Sequence, residues 1–411
     1  MIGIGTMAGG PLEGVRVVDM TSVVVGPMVT QVLADYGADV IKVEPPGGDI
    51  LRWLGGRCRT EGMSSKFLHL NRNKRSLVLD LKKPAGHRVL MKLVARADVL
   101  IWNIRPSAME KLGLSYGAVR AVNPRIIYCG IVGFGSKGRY SGKPAYDPII
   151  QGLGGIAALH HKATGEPRYV PIVMADKNAG LVATQMVLLA LFHRERTGEG
   201  QSIEVPMFEN IAKYVLEEHL CLRTFQPPLG EMGDPRIFDE WAKPIPTKDG
   251  WICLAANTDE QAFAFFEAIG KPELKSDPRF CNVAARFQNV RDYFMLRAEA
   301  LRQRTTAEWV RILNEADIPA MPYHTLESLV EDPHLRDVGF LRTVNHPTEG
   351  KIYEIKPPNS LSSGTREDYL PTPKPGQHSV EILHELGYED TEIEEMAASG
   401  ITIDGRLKKP R

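Results

Sequence analysis

The chain of 411 residues lacks an excess of charge of either sign. Fifty basic residues balance fifty acidic ones, so the molecule has no net field that would attract a nucleic acid or an anionic membrane. A polyanionic ligand would have to be bound by a local group of cations. We therefore expect neither a nucleic acid nor a membrane as a partner.

Cysteine and long apolar runs are also scarce. The five cysteines are odd in number and widely spaced, which fits reduced thiols in a cytosol-like compartment and offers neither a disulfide framework nor zinc spacing. No stretch reaches the ~18 apolar residues that a membrane span requires. The first ten residues lack the basic and apolar regions of a signal peptide. These observations predict a cytoplasmic protein without a metal site.

Several short catalytic motifs are missing. The patterns HExxH, Walker A, GxSxG and CxxC do not occur, so zinc-dependent hydrolysis, NTP hydrolysis and nucleophile-elbow chemistry have no support. The loop after the first predicted strand, TSVVVGP, lacks the GxGxxG pattern that a dinucleotide would require. This absence argues against a dehydrogenase.

What the sequence does contain is an alternation of buried-strand and helix patterns. Strands are predicted at 15–20, 38–44, 77–79, 98–103, 125–131 and 201–205. Helices are predicted between them, at 28–37, 86–96, 107–112 and 116–122. Such βαβ units imply parallel strands, so we predict an α/β fold with a doubly wound sheet.

The pattern changes after residue 223. Residues 224–236 are rich in proline and glycine, 243–257 predict a hairpin that turns at Asp249-Gly250, and Thr305 with Glu308 forms a capping box. We assign 1–223 to a large domain, 224–321 to a small domain, and 322–411 to a linker and a return to the large domain. In the last segment, 351–355 predicts a strand and 379–398 predicts a helix, so we expect the C-terminus to return to the first sheet.

The stretch 170–205 places one carboxylate at the start of a long helical pattern. Asp176 precedes apolar residues at helical spacing, and Gly198 and Gly200 supply the turn into a short strand. Two roles are open for Asp176. Aspartate is a common helix N-cap, and a carboxylate can also act as a nucleophile. The stretch by itself favours the cap.

Ligands of open α/β sheets bind beyond the carboxyl ends of the strands. Here those ends lead into loops at 22–24, 103–105 and 133–135 and into the approach to Asp176. The cations of NRNKRS (Arg72, Lys74 and Arg75) together with Lys111 could bind phosphate groups without a P-loop. The alternative for NRNKRS is a solvated loop.

Five blocks of sequence resemble family III CoA-transferases of the formyl-CoA and carnitine CoA-transferase type: PLEGVRVVDMT, GADVIKVEPPGGD, NRNKRSLVLDL, PAYDPIIQGLGG and RTGEGQSIEV. The resemblance covers the chain from about residue 11 onward. It implies a Rossmann-like large domain, a small α+β domain, and a homodimer of interlocked subunits. It also implies CoA transfer between an acyl-CoA and a carboxylic acid, with CoA as a co-substrate and no bound cofactor.

The resemblance also assigns roles to particular residues. The nucleophile of the family is an aspartate that opens the helix before the TGxGQ turn, and Asp176 matches it. The implied CoA contacts are Ser22, Val23, Leu79, Asn103, Ile104, Ala108, Lys111 and, from the cationic cluster, Arg75. The implied substrate pocket contains Val24, Phe134 and Tyr146.

Two further expectations concern the reaction and its substrate. α-Methylacyl-CoA racemases resemble this fold and move an α-proton with a His–Asp pair, but the corresponding segment here reads Tyr146-Asp147-Pro148, and no histidine lies between His87 and His160. By the same resemblance, Val24, Val132 and Phe134 replace a glutamine, a lysine and a tyrosine of the formyl-CoA transferases. This replacement favours a short or branched dicarboxylic acid over formate, oxalate or carnitine. A CoA-binding protein without catalysis is the third possibility, which Asp176 argues against.

Overall fold

The computed structural model describes residues 10–362 and 369–406 and divides the chain into two compact units. The first unit contains the chain up to Gly154, then Val170–Lys213, and the chain from Asp337 onward. The second unit contains Gly155–Tyr169 and Tyr214–Arg336.

Strands and helices alternate over the first half of the chain. They are β1 (Arg16–Met20), α1 (Val25–Asp35), β2 (Asp39–Glu44), α2 (Ser65–Leu70), β3 (Lys74–Val78), α3 (Pro84–Val94), β4 (Val99–Trp102), α4 (Pro106–Lys111), α5 (Tyr116–Val122), β5 (Ile127–Val132), α6 (Asp147–Leu153), α7 (Ile156–Thr164), α8 (Met174–Thr197) and β6 (Gln201–Pro206). Of these, α7 belongs to the second unit.

The six strands form one sheet in the order β3-β2-β1-β4-β5-β6, and every neighbouring pair is parallel. The predicted α/β class with a parallel sheet is therefore confirmed. The connection changes direction between β1 and β4. This change opens a crevice at the carboxyl ends of the central strands, where ligands of such sheets bind.

The strands are rich in Val, Ile and Leu because both faces of the sheet are covered. Val18 on β1 lies opposite Ile41 on β2 and Leu100 on β4, and all three are fully buried. One core cluster joins these strands to α3 and to two C-terminal helices, α17 (Ser379–Glu385) and α18 (Asp390–Ala398). Continuous apolar strands of this kind are typical of parallel sheets.

The C-terminal segment differs from its prediction in one respect. The predicted strand at 351–355 is present as β11 (Gly350–Ile355), which pairs with β10 (Leu341–His346) in a separate antiparallel hairpin. The predicted helix at 379–398 is two helices, because Gly387 between them has a positive φ of 83°. The helices themselves do pack against the core of the first sheet.

The second unit has a small antiparallel sheet and its own helical core. Its elements are α9 (Met207–His219, which begins in the first unit), α10 (Pro235–Phe238), β7 (Ile245–Pro246), β8 (Trp251–Leu254), α11 (Asp259–Ala268), α12 (Val283–Gln288), α13 (Val290–Leu301), α14 (Thr306–Glu315), β9 (Ala320–Pro322), α15 (Leu326–Val330) and α16 (Pro333–Asp337). The predicted hairpin and the Thr305–Glu308 capping box are confirmed. The core contains Phe265, Phe266 and Trp309.

Within the described residues, none of the helices combines the length and the apolar character that crossing a membrane requires.

Candidate active site

A cavity of about 530 Å³ opens at the carboxyl ends of β1, β4 and β5. Its walls come from the loops that follow these strands and from the start of α8. Among the described residues that line it, Asp176 is the sole carboxylate, and Arg105 and Lys143 supply positive charge. The loop order of the parallel sheet therefore brings one carboxylate and two cations to the crevice that the topology creates.

Asp176 lies in the first turn of α8, and its carboxylate does not cap the helix. The helix begins at Met174, the residue before it is Val173, and no side-chain cap is formed there. The cap that the local sequence favours is therefore wrong. The helix starts three residues earlier than the pattern indicates, so Asp176 is already helical and its side chain is available to the cavity.

The N–H groups at the start of α8 are bound by a carboxylate from another helix. Asp147 Oδ1, on α6, accepts hydrogen bonds from the backbone N–H of Ala175 at 2.7 Å and of Asp176 at 3.3 Å. Its Oδ2 accepts from Gln151 Nε2 at 2.7 Å. An anion at this position also interacts favourably with the positive end of the α8 dipole.

The electrostatic environment of Asp176 disfavours its charged form. Burial, followed by the negative charge of Asp147, raises the pKa of Asp176 to about 7. A carboxyl group of this pKa is a stronger nucleophile when ionised than an ordinary aspartate, and it is about half ionised near neutral pH.

The loop after β1 holds a backbone conformation that its sequence disfavours. Val23 has a positive φ of 65°, which is a rare and strained conformation for a β-branched residue. Its N–H donates to Asp49 Oδ1 at 3.1 Å. The adjacent Ser22 is held on both sides by Asn103, which accepts from the Ser22 N–H at 2.9 Å and donates to its carbonyl at 2.8 Å.

Buried ions behind this loop fix its two ends. Lys42 Nζ lies 3.0 Å from Asp49 Oδ2 and donates to the Thr21 carbonyl at 2.9 Å. Asp19 accepts from the Thr21 N–H and hydroxyl and lies 3.2 Å from Lys74 Nζ. All four of the charged side chains are almost completely buried. Buried charges must be paired. These ion pairs therefore restrict the loop that lines the cavity to one conformation.

Nine of the twelve residues that the sequence assigns to the site line the cavity. They are Asp176 with Ser22, Val23, Val24, Asn103, Ile104, Ala108, Phe134 and Tyr146. Their sequence positions span more than 150 residues, and the parallel strand order brings them together.

The other three lie elsewhere. Leu79 is buried in the core cluster behind the sheet. Arg75 lies on β3 and is bound to the carboxylates of Asp39 and Glu381 at 2.8 and 2.9 Å and of Glu385 at 2.6 Å. Lys111 is the exposed last residue of α4. The NRNKRS cations form no solvated loop either, because Arg72 and Lys74 are buried against Asp35 and Asp19.

Sequence reasoning missed three polar residues at this site. Lys143 lines the cavity from the loop before α6, where no pattern marks it. Asp49 and Asp147 accept hydrogen bonds from backbone N–H groups that are more than 25 residues away in the sequence. A search for reactive side chains therefore does not find them. One signal was available for Asp147: it directly follows Tyr146, which the sequence assigns to the substrate pocket.

The family model for CoA-transferase family III matches residues 12–379. The chain belongs to this family. The predicted family and the predicted class of enzyme, a CoA-transferase, are thereby confirmed.

This family III chain is similar to two groups of named relatives. It is 32% identical over 394 residues to the succinyl-CoA:glutarate CoA-transferase of Mus musculus, covering 95% of this chain and 90% of that protein. It is 34% identical over 422 residues to the formyl-CoA:oxalate CoA-transferase of Bradyrhizobium sp. (strain ORS 278), covering 95% of this chain and 96% of that protein.

Two solved structures have a similar fold. A CaiB/BaiF family protein from Brucella suis has a TM-score of 0.77 at 31% identity, covering 92% of this chain and all of that one. Rv3272 from Mycobacterium tuberculosis has a TM-score of 0.79 at 30% identity, covering 90% of this chain and 99% of that one.

Proposed function

We propose that the protein transfers CoA between carboxylic acids through covalent intermediates on Asp176. The observation that carries this proposal is the position of Asp176 as the sole carboxylate among the described residues of the cavity wall. Family membership supplies the reaction class, and the raised pKa of Asp176 suits a nucleophile.

The proposed reaction exchanges one bond at each step. The Asp176 carboxylate attacks the thioester carbonyl of the donor, the C–S bond breaks, and a mixed anhydride and CoA thiolate form. The thiolate attacks the aspartyl carbonyl and releases the donor acid, which leaves an aspartyl-CoA thioester. The acceptor carboxylate then reverses these two steps and regenerates Asp176. Because each intermediate is prone to hydrolysis, the cavity must exclude water during turnover.

Proximity would supply most of the rate. The N–H groups of Ser22 and Val23 are bound to Asn103 and Asp49, so the loop beside Asp176 is held in a fixed conformation during turnover. A thiolate held next to the anhydride reacts with an effective concentration of up to ~10⁵ M or more.

The racemase alternative has less support. Among the described residues of the cavity wall there is no histidine, and the Asp147 carboxylate is engaged with backbone N–H groups and Gln151. Incubation of an α-methylacyl-CoA in deuterium oxide distinguishes the two reactions. We expect no deuterium at the α-carbon, and its incorporation at the rate of turnover would favour the racemase.

CoA is proposed to lie along the loops after β1 and β4. Ser22 and Asn103 are locked together there, and Ala108 leaves space beside them. Lys111 is exposed at the end of α4 and can reach a phosphate of the bound CoA. Lys111→Ala should weaken CoA binding by ~1–3 kcal/mol if it makes a charge-assisted bond.

The acceptor is proposed to be a short or branched dicarboxylic acid. Val24, Val132 and Phe134 make one part of the cavity wall apolar, and Arg105 and Lys143 supply cations for a second carboxylate. Lys143→Met should raise KM for glutarate or succinate and leave KM for a monocarboxylic acceptor of equal length unchanged. Lys137→Met, on the same loop but outside the cavity wall, is the matched control.

The decisive experiment is a screen of acyl-CoA donors against carboxylic acids, with new thioesters identified by mass spectrometry. Asp176→Ala should abolish transfer, while Glu195→Gln, which removes an exposed carboxylate on the same helix, should leave it intact. Acceptor labelled with ¹⁸O should leave label on Asp176 after turnover. Retention of more than about a hundredth of wild-type turnover by Asp176→Ala would exclude this covalent mechanism.

We also propose that the functional form is a homodimer of interlocked subunits. The observation that supports association is the exposed apolar surface of α8, where Leu181, Leu188, Leu189 and Phe192 are 41–63% accessible. A long helix with apolar side chains on several faces is usually covered by protein.

A further inference from the structure

The start of α8 is capped in a way that differs from other helices of the chain. Helices α11, α14 and α15 are each capped by the threonine that directly precedes them, Thr258, Thr305 and Thr325. The residue before α8 is Val173, whose side chain has no acceptor. Asp147, 27 residues before the first residue of the helix, binds the N–H groups of Ala175 and Asp176 instead.

Asp147 is itself held in place by a buried amide. Both Asp147 and Gln151 are almost fully buried, and they lie one turn apart on α6. Gln151 Nε2 donates to Asp147 Oδ2 at 2.7 Å and to the Ile172 carbonyl at 3.1 Å. Gln151 Oε1 accepts from the Val170 N–H at 2.9 Å. The pair therefore fixes both the first turn of α8 and the chain that leads into it.

We infer that Asp147 is a positioning residue for the reaction at Asp176: its buried carboxylate binds the backbone of the nucleophile and fixes the side chain at the cavity wall. This inference rests on the proposed role of Asp176. A hydrogen bond to the N–H of the nucleophilic residue itself restricts its backbone directly. Small displacements of a reacting group have large effects on rate, so the geometry assigns Asp147 a part in turnover that a remote cap does not have.

The charge of Asp147 gives the inference a second, measurable consequence. Arg105, Lys143 and Tyr146 line the cavity with Asp176, and Lys177 follows it on α8. From α1, Val25 and Met28 approach α8 at Gly180, and both are uncharged. On β5 no residue is charged, and Glu204 of β6 is bound to Ser136. Among these groups, Asp147 is the one whose charge raises the pKa of Asp176.

A thermal-stability cycle tests this coupling without any activity assay. Asp176→Asn should raise Tm at pH 8, where the wild-type carboxylate is charged, and the gain should shrink when Asp147→Asn is also present. Asp147→Asn keeps one acceptor oxygen for the α8 N–H groups while it removes the charge. An unchanged gain in the two backgrounds would overturn the inference, whether or not the protein transfers CoA.

Kinetics test the positioning role. With a donor and acceptor identified by the screen, Asp147→Ala should lower kcat at least tenfold with KM for the donor changed less than threefold. Asp147→Asn should move the midpoint of the pH profile of kcat/KM downward. The matched control is Thr305→Ala, which removes a cap from α14. This variant should have a lower Tm, while its kcat and the midpoint of its pH profile stay at the wild-type values. If both Asp147 variants behave like this control, Asp147 is only a structural cap and the inference is wrong.

Discussion

At the scale of single residues, the charged form of Asp176 opposes folding. The folded-state pKa is about 7 against an ordinary value of 3.8, so the unfolded chain ionises first as pH rises. The resulting loss of stability begins above pH 4 and is complete above pH 7. Asn carries no charge, and Asp176→Asn should therefore increase the free energy of unfolding at pH 8 by on the order of 4 kcal/mol, because the two pKa values differ by about three units at about 1.4 kcal/mol per unit.

The same variant should change stability very little at pH 4, because the Asp176 side chain of the folded wild-type protein is then neutral, like the asparagine that replaces it. Urea denaturation at the two pH values checks the difference. An equal increase at both would show that packing and not charge is responsible.

A second residue-scale prediction concerns the strained loop after β1. Val23 has a φ of 65° and its neighbour Val24 has a φ of −120°. Both are partly buried, so glycine removes a similar side chain at each position. Only Val23→Gly relieves backbone strain, and it should be more stable than Val24→Gly by ~1–2 kcal/mol.

Denaturation of the two glycine variants under the same conditions measures this difference. If Val23→Gly keeps its stability but loses affinity for CoA, the strained conformation serves binding. Equal losses of stability would mean that Val23 stores no strain.

At the scale of elements, α1 begins in close contact with the loop that precedes it. A Cβ at Gly26 would lie 2.2 Å from Cβ of Thr21, and Thr21 cannot move because its hydroxyl donates to buried Asp19 at 2.5 Å. Gly26→Ala should destabilise the protein by ~1–3 kcal/mol. Gly117, in α5, has no atom within 4 Å of its added Cβ, and Gly117→Ala should stabilise it by ~0.5–1 kcal/mol.

Thermal unfolding of the two alanine variants checks the opposite signs. A stabilised Gly26→Ala protein would contradict the contact between Gly26 and Thr21.

Apolar periodicity predicted the parallel strands to within two residues at most of their ends, because strands with two covered faces are continuously apolar. It failed where a charge is buried. The predicted strand at 77–79 begins at Lys74, because Lys74 and Ser76 are buried partners of Asp19 and Glu44 and not surface residues.

Helices with irregular patterns were also missed. The helices α6, α7 and α9 had no prediction. In the candidate site, the resemblance supplied residue types at strand ends. The structure supplied what a linear pattern cannot contain: the ion pairs of Arg75 and the hydrogen bonds from Ala175 and Asp176 to Asp147.

At the scale of the whole molecule, the proposed homodimer would use the exposed apolar side chains of α8. Leu189 and Phe192 are more than 60% accessible and lie three residues apart on one face. Leu189→Asp with Phe192→Asp should shift the protein from dimer to monomer in sedimentation experiments, since burial of each side chain stabilises an interface by about 1.5–3 kcal/mol.

Val122→Asp is the control, because Val122 is an apolar residue, 45% exposed, at the end of α5 and not on α8. A dimer that persists in the double variant at micromolar concentration would place the interface elsewhere.

The buried ions of β1, β2 and β3 also constrain how the protein assembles. Asp19 on β1, Lys42 and Glu44 on β2 and Lys74 on β3 are neutralised by one another or by the adjoining Asp49 and Arg52. A strand that docked before its neighbours would carry an unpaired charge into a medium of low polarity, at a cost of several kcal/mol. Partly ordered forms of this edge are thereby suppressed. Native-state hydrogen exchange should show the amides of all three strands opening in a single step, with one free energy and one denaturant dependence. The loop that lines the cavity is then ordered only when all three strands are folded.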